Sequence, residues 1–92
     1  MADSIITVAV LPERITAQNA NTVYEQLAGS SDVDIDCAGI AHCDSAGIAV
    51  FIAVKAARLA KQQTIHYHNP PKQLYDLARF LKVNRLLFEQ QQ

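Results

Sequence analysis

Residues Asp36 to Gly47 read DCAGIAHCDSAG, and the fold class follows from what surrounds them. Just upstream, Val33-Asp34-Ile35-Asp36-Cys37 alternates apolar with acidic. That is the period of a strand with one face buried. Ala38-Gly39-Ile40 reads as a loop. Asp44-Ser45-Ala46-Gly47 opens the next element. From Ile48 to Lys61 no Gly or Pro intervenes and alanine is abundant, which favours a helix. Gln62-Gln63 closes it.

Working back from that segment, Gly29-Ser30-Ser31 ends an earlier helix. Its apolar positions are Ala20, Val23, Tyr24 and Leu27, with Thr16 as the expected N-cap and Asn19 on the first turn. Glu13-Arg14-Ile15 is a short second strand or an edge. Ser4 to Leu11, SIITVAVL, is β-branched and bounded by Pro12, and predicts a strand. Working forward, Thr64 to His68 is a strand by β-propensity. Asn69 is the expected cap of a last helix, with Pro70 at its first position. Leu74, Leu77, Ala78 and Leu81 form that helix's apolar face, with Tyr75 beside it. Val83, Leu86, Leu87 and Phe88 make a terminal apolar patch. Alternating strands and helices predict one small α/β domain over residues 1–92. Its sheet is expected to be mixed and mostly parallel, with helices packed against it.

The chain has 92 residues, 50% apolar and 18% charged, which excludes a disordered chain. Eight Lys/Arg against nine Asp/Glu give a net charge of -1, so no nucleic-acid footprint is present. Cys37 and Cys43 read as buried reduced thiols rather than as staples of a secreted domain. The longest apolar stretch, Ala46 to Val54, is about half a membrane span. The N-terminus carries no basic segment followed by a long apolar run. A soluble, cytoplasmic protein with no membrane insertion is the expectation.

Ser45 stands at a helix start, where unpaired N–H groups and a partial positive charge would hold a phosphate. The position therefore suits a phosphoserine switch, while a plain capping role for Ser45 or Asp44 explains the same residues. Gly47 lets another backbone come close. Stepping the helix by about 100° per residue puts Ile48, Ile52 and Leu59 on one face, with Phe51 on its margin. Ala46, Val50, Ala53 and Ala57 fall on the other. The first suits the sheet, and the second is either covered by a neighbouring helix or open as a docking surface of small residues. His66 and His68 point to one side of a strand, with no third metal ligand evident in sequence. Asp34 and Asp36 read as solvated. No phosphate loop, dinucleotide fingerprint or hydrolase nucleophile motif occurs, and no cofactor is expected.

Ile35-Asp36 followed by Asp44-Ser45-Ala46-Gly47-Ile48 resembles the STAS family. Its members share an apolar strand ending in Asp and then Asp-Ser/Thr-x-Gly-Leu at a helix start. Leu11 to Thr16 is similar to that family's early strand and helix start. Pro71-Lys72-Gln73-Leu74, Leu77-Ala78-Arg79 and Val83 to Leu87 are similar to its last helix and end. This ending looks most like the MlaB branch, the small cytoplasmic subunits of ABC-type phospholipid transport systems. The chain has Glu13 and Gln62-Gln63 where the family often has Gly. The resemblance implies a non-enzymatic subunit, peripheral to the inner membrane, that binds and supports an MlaF-like ABC-type ATPase subunit. It implies Ser45 as the regulatory position, and Asp44, Ser45, Ala46, Gly47, Ala49, Val50 and Ala53 as the contact surface. The other function that the motif fits is an anti-sigma factor antagonist, with Ser45 phosphorylated by a kinase anti-sigma factor.

Overall fold

The computed structural model describes residues 11–88, so all but the last residue of the strand expected over Ser4 to Leu11 lies outside the described residues. The elements run β1 (Arg14–Ile15), α1 (Ala20–Ala28), β2 (Asp34–Asp36), β3 (His42–Cys43), α2 (Ser45–Ala60), β4 (His66–His68), α3 (Lys72–Phe80) and α4 (Asn84–Phe88). The α/β alternation is as expected. Two elements are additional: β3 lies between the loop at Ala38 to Ile40 and the helix start at Asp44, and α4 lies in the terminal apolar patch. Both described pairings are parallel, β1 with β3 and β2 with β4. Ile15 stands opposite Cys43, and Ile35 opposite Tyr67.

The strand alternation works as the sequence implies. Ile35 and Tyr67 turn inward, while Asp34 and Asp36 are exposed. The Tyr67 ring packs on Phe51 with centroids 4.7 Å apart, and its hydroxyl donates to the Phe51 carbonyl at 2.9 Å. That bond satisfies the polar end of a fully buried phenol. Val23 and Leu27 of α1, Leu74 and Ala78 of α3, and Leu87 and Phe88 of α4 complete the core.

Three helix starts and faces differ from expectation, each for a local reason. Thr16 does not cap α1. Asn19 Oδ1 accepts from the Thr16 N–H at 2.9 Å, and Asn19 Nδ2 donates to the Arg14 carbonyl at 2.8 Å. This ties residues 16–19 into a turn against β1, and the helix begins at Ala20. Asn69 does not cap α3. It occupies the left-handed region at φ 58°, and its side chain donates to Asp36 Oδ1 at 3.2 Å. Pro71 disfavours a helical Pro70, so α3 opens at Lys72.

The third difference concerns α2. Its buried face is Gly47, Ile48, Phe51, Val54 and Arg58, joined by Val50. Ile52 is half-buried, and Leu59 is 67% exposed rather than against the sheet. The large Phe51 sits at the centre of the buried stripe, not on its margin. Arg58 takes the last buried slot, which a search for apolar periodicity passes over. Its guanidinium donates to the carbonyls of Leu27 at 3.1 Å, Thr64 at 3.3 Å and Asp32. Leu27 lies in the last turn of α1, where carbonyls lack partners within the helix and the helix dipole favours a cation.

Both α2 and α3 close in the same way. The Gln63 N–H donates to the Arg58 carbonyl at 2.8 Å, and the Val83 N–H to the Ala78 carbonyl at 2.9 Å. Gln62 and Lys82 supply the intervening left-handed residues, at φ 62° and 64°. These are Schellman closures, and the residue at the left-handed position is usually Gly. Gln62 thus stands at the place where the chain departs from the family's glycine habit.

Candidate functional site

The Asp-Ser-x-Gly segment divides its labour by position. Asp44 is the N-cap of α2: its Oδ1 accepts from the Gly47 N–H at 3.1 Å, and its carbonyl accepts from the Ile48 N–H at 3.1 Å. Ser45 is the first helical residue and is exposed, with no hydrogen bond from its hydroxyl among the described residues. Of the two capping candidates, Asp44 takes the role and Ser45 does not. Gly47 is buried. A Cβ there would stand 2.7 Å from the Ile15 carbonyl oxygen and would overlap Cys43 Sγ. The close approach expected at Gly47 is therefore to the chain's own β1 and β3.

A side chain from α3 holds the approach to this helix start. Gln73 Oε1 accepts from the Cys43 N–H, and Gln73 Nε2 donates to the Cys43 carbonyl, both at 2.9 Å. The primary amide thus acts as a one-residue strand on the edge of β3 that β1 does not cover. It fixes the backbone one residue before the Asp44 cap. Gln73 lies in the Pro-x-Gln-Leu segment, whose sequence carried the family resemblance without showing this contact.

The small-residue face of α2 is neither wholly covered nor wholly open. Ala46 and Ala57 are half-buried and Val50 is buried, while Ala49 and Ala53 are exposed. Ala20, Asn21 and Tyr24 of α1 form the opposite wall of a shallow groove of about 310 Å³, floored by Ala46, Ala49, Val50 and Ala53. Of the seven expected surface positions, Ser45, Ala49 and Ala53 are open to solvent, Asp44 and Ala46 are half-buried, and Val50 and Gly47 are buried, Val50 at the base of the groove. Ser45 lies one residue before Ala46, the first residue of α2 to line the groove.

Burial lifts the Cys43 thiol to about 12, with the Asp44 carboxylate adding to the effect. Burial likewise lifts Cys37 to about 12, with smaller contributions from Asp36 and Cys43. Both thiols are free and buried, and both stay protonated at neutral pH. His66 and His68 share a side of β4, as expected, with ring centroids 6.3 Å apart. His68 Nε2 lies 2.7 Å from Asp34 Oδ1 across the strand pair. Asp36 is exposed yet engaged, accepting from the Ala38 N–H at 3.0 Å. Among the described residues no group of three or more His, Cys, Asp or Glu could hold a metal ion.

The architecture combines a pinned helix start, a Ser45 hydroxyl with no hydrogen bond among the described residues, and a shallow groove lined largely by small residues. A family model described as "Mlab, STAS domain" matches residues 7–88, and the chain belongs to the STAS domain family. Members of that family are generally non-enzymatic binding and regulatory domains. Comparison with curated proteins and with solved structures gave no match. No described helix is long and apolar enough to cross a membrane.

Proposed function

We propose that this chain is a non-enzymatic subunit that docks on the ATPase of an ABC-type phospholipid transport system maintaining outer-membrane lipid asymmetry. The observation that carries the reading is the groove between α1 and α2, floored by Ala46, Ala49 and Ala53 with Ala20 in the facing wall. Small residues let a partner helix approach closely, and burial of their apolar surface supplies affinity. The match to a family model whose description includes the name Mlab supports the choice of partner. The test is affinity capture of the tagged chain from native membranes. Recovery of an ABC-type ATPase supports the reading, and recovery of a sigma-regulating kinase alone refutes it.

One observation favours a second reading, an anti-sigma factor antagonist. Because Asp44 does the capping, the Ser45 hydroxyl is free to accept a phosphoryl group. Incubation with a kinase anti-sigma factor, followed by mass analysis, would place +80 Da (about one phosphoryl group) on Ser45 in that reading. An unmodified chain would remove it.

A further inference from the structure

We infer that the corner between α3 and α4 is a second docking surface, for the headgroup layer of an anionic lipid bilayer. Residues 79–86 read RFLKVNRL and hold three cations and no carboxylate. Since the whole chain carries -1, the remainder carries -4, so positive charge is concentrated at this corner. Arg79, Lys82 and Arg85 are all exposed, and none makes an ion pair among the described residues. Between them stand apolar side chains that the core does not take up. Phe80 is 80% exposed, Leu86 48% and Leu81 39%. A phenyl ring that far from its own core, flanked by unpaired cations, is the composition of an interfacial anchor.

The corner is also held in place. Its inward residues are committed to the fold: Val83 packs against the core, and Asn84 Nδ2 donates to the Tyr75 hydroxyl at 3.3 Å. Lys82 sits in the left-handed closure of α3, with the Val83 N–H bonded back to Ala78. Outward residues therefore project from a fixed turn, and ordering them on a surface costs little further entropy. Charge complementarity selects the occupant. Anionic headgroups meet the three cations, while Phe80, Leu81 and Leu86 settle at the boundary with the acyl chains. None of these six residues lines the α1–α2 groove, so this surface and the proposed ATPase contact are separable.

The test is co-sedimentation of the full chain with vesicles, without any ATPase present. Equimolar phosphatidylglycerol and phosphatidylcholine vesicles are compared with pure phosphatidylcholine at low and high salt. The expected result is retention on the anionic vesicles only, lost at high salt as screening grows. Each basic side chain near an anionic surface is worth about fivefold in affinity. The double variant Lys82→Glu/Arg85→Glu should therefore bind about 25-fold more weakly or worse. Phe80→Ser should weaken retention without altering its salt dependence, with thermal melts confirming that each variant is folded. Equal retention on neutral and anionic vesicles, or none on either, would overturn the assignment. So would charge reversals that abolish capture of a partner protein and leave vesicle binding unchanged, which would give the corner to an acidic protein instead.

Discussion

Replacing Gln73 with Ala tests whether one amide side chain acts as the missing neighbour of β3. The variant removes both bonds to Cys43, leaving a backbone N–H and a carbonyl without their partner. A typical intramolecular hydrogen bond contributes a net of about 0.5–1.5 kcal/mol, so two are worth about 1–3 kcal/mol. The site is half-buried, and water reaches part of it, so a loss of about 1–2 kcal/mol is expected. In a domain of this size that is roughly 4–16 °C in melting temperature. Gln73→Glu keeps an acceptor for the Cys43 N–H but sets a carboxylate against the Cys43 carbonyl at neutral pH. It should be destabilised at pH 7 and recover as the carboxyl takes up a proton and regains a donor. Urea unfolding and thermal melts measure the loss, and amide exchange at Cys43 localises it. If Gln73→Ala unfolds within 0.3 kcal/mol of the parent (about the noise of such comparisons), the strand-like role assigned to Gln73 is wrong.

Three further perturbations follow from the same geometry. Gly47→Ala should cost about 1–3 kcal/mol in urea unfolding, despite alanine's better helix propensity, because the new methyl meets Ile15 and Cys43; a stabilised variant would contradict the packing described. Asp44→Ala should cost about 0.5–2 kcal/mol as a lost cap, whereas Ser45→Ala should stay within about 0.5 kcal/mol of the parent, and equal losses in calorimetric melts would undo that division. Cys37 and Cys43, raised from 9.0 to about 12, keep their protons in the folded state while the unfolded chain releases them. Their contribution is therefore whole below pH 9 and lost as pH climbs from 9 towards 12, and stability that rises across that window would be the wrong sign.

Long-range periodicity made much of this fold legible, and short-range chemistry hid the rest. Val33 to Cys37 alternates cleanly because one sheet face is buried, and α2 announces itself through the stretch from Ile48 to Lys61, which holds no Gly or Pro. β3 escaped because two residues are too few to show a period, and one of its edges is completed by a side chain 30 positions away. Sequence does not decide the start of α1 because Thr16 and Asn19 are both of capping type, and only the bond from Asn19 to Arg14 separates them. Arg58 shifted the reading of α2, since a buried guanidinium looks like a surface residue until its three carbonyl partners are assembled in space. At the site, helical spacing puts Ala46, Val50, Ala53 and Ala57 on one face, whereas Ala49 enters only through the family resemblance. That Gly47 serves the sheet could not be read from spacing, because the reason lies in β1 and β3.

The most direct measurement of the central claim is the affinity of the purified chain for the purified ABC-type ATPase subunit, by titration calorimetry, before and after Ala53→Glu. Ala53 is exposed on the floor of the α1–α2 groove, where a carboxylate leaves the core untouched. Buried against an apolar partner it would be desolvated and unpaired, costing about 3 kcal/mol or more, which is at least a hundredfold in Kd. The account predicts saturable binding by the parent and a loss of that size in Ala53→Glu, with the two melting alike. Binding of Ala53→Glu with parental affinity would contradict it.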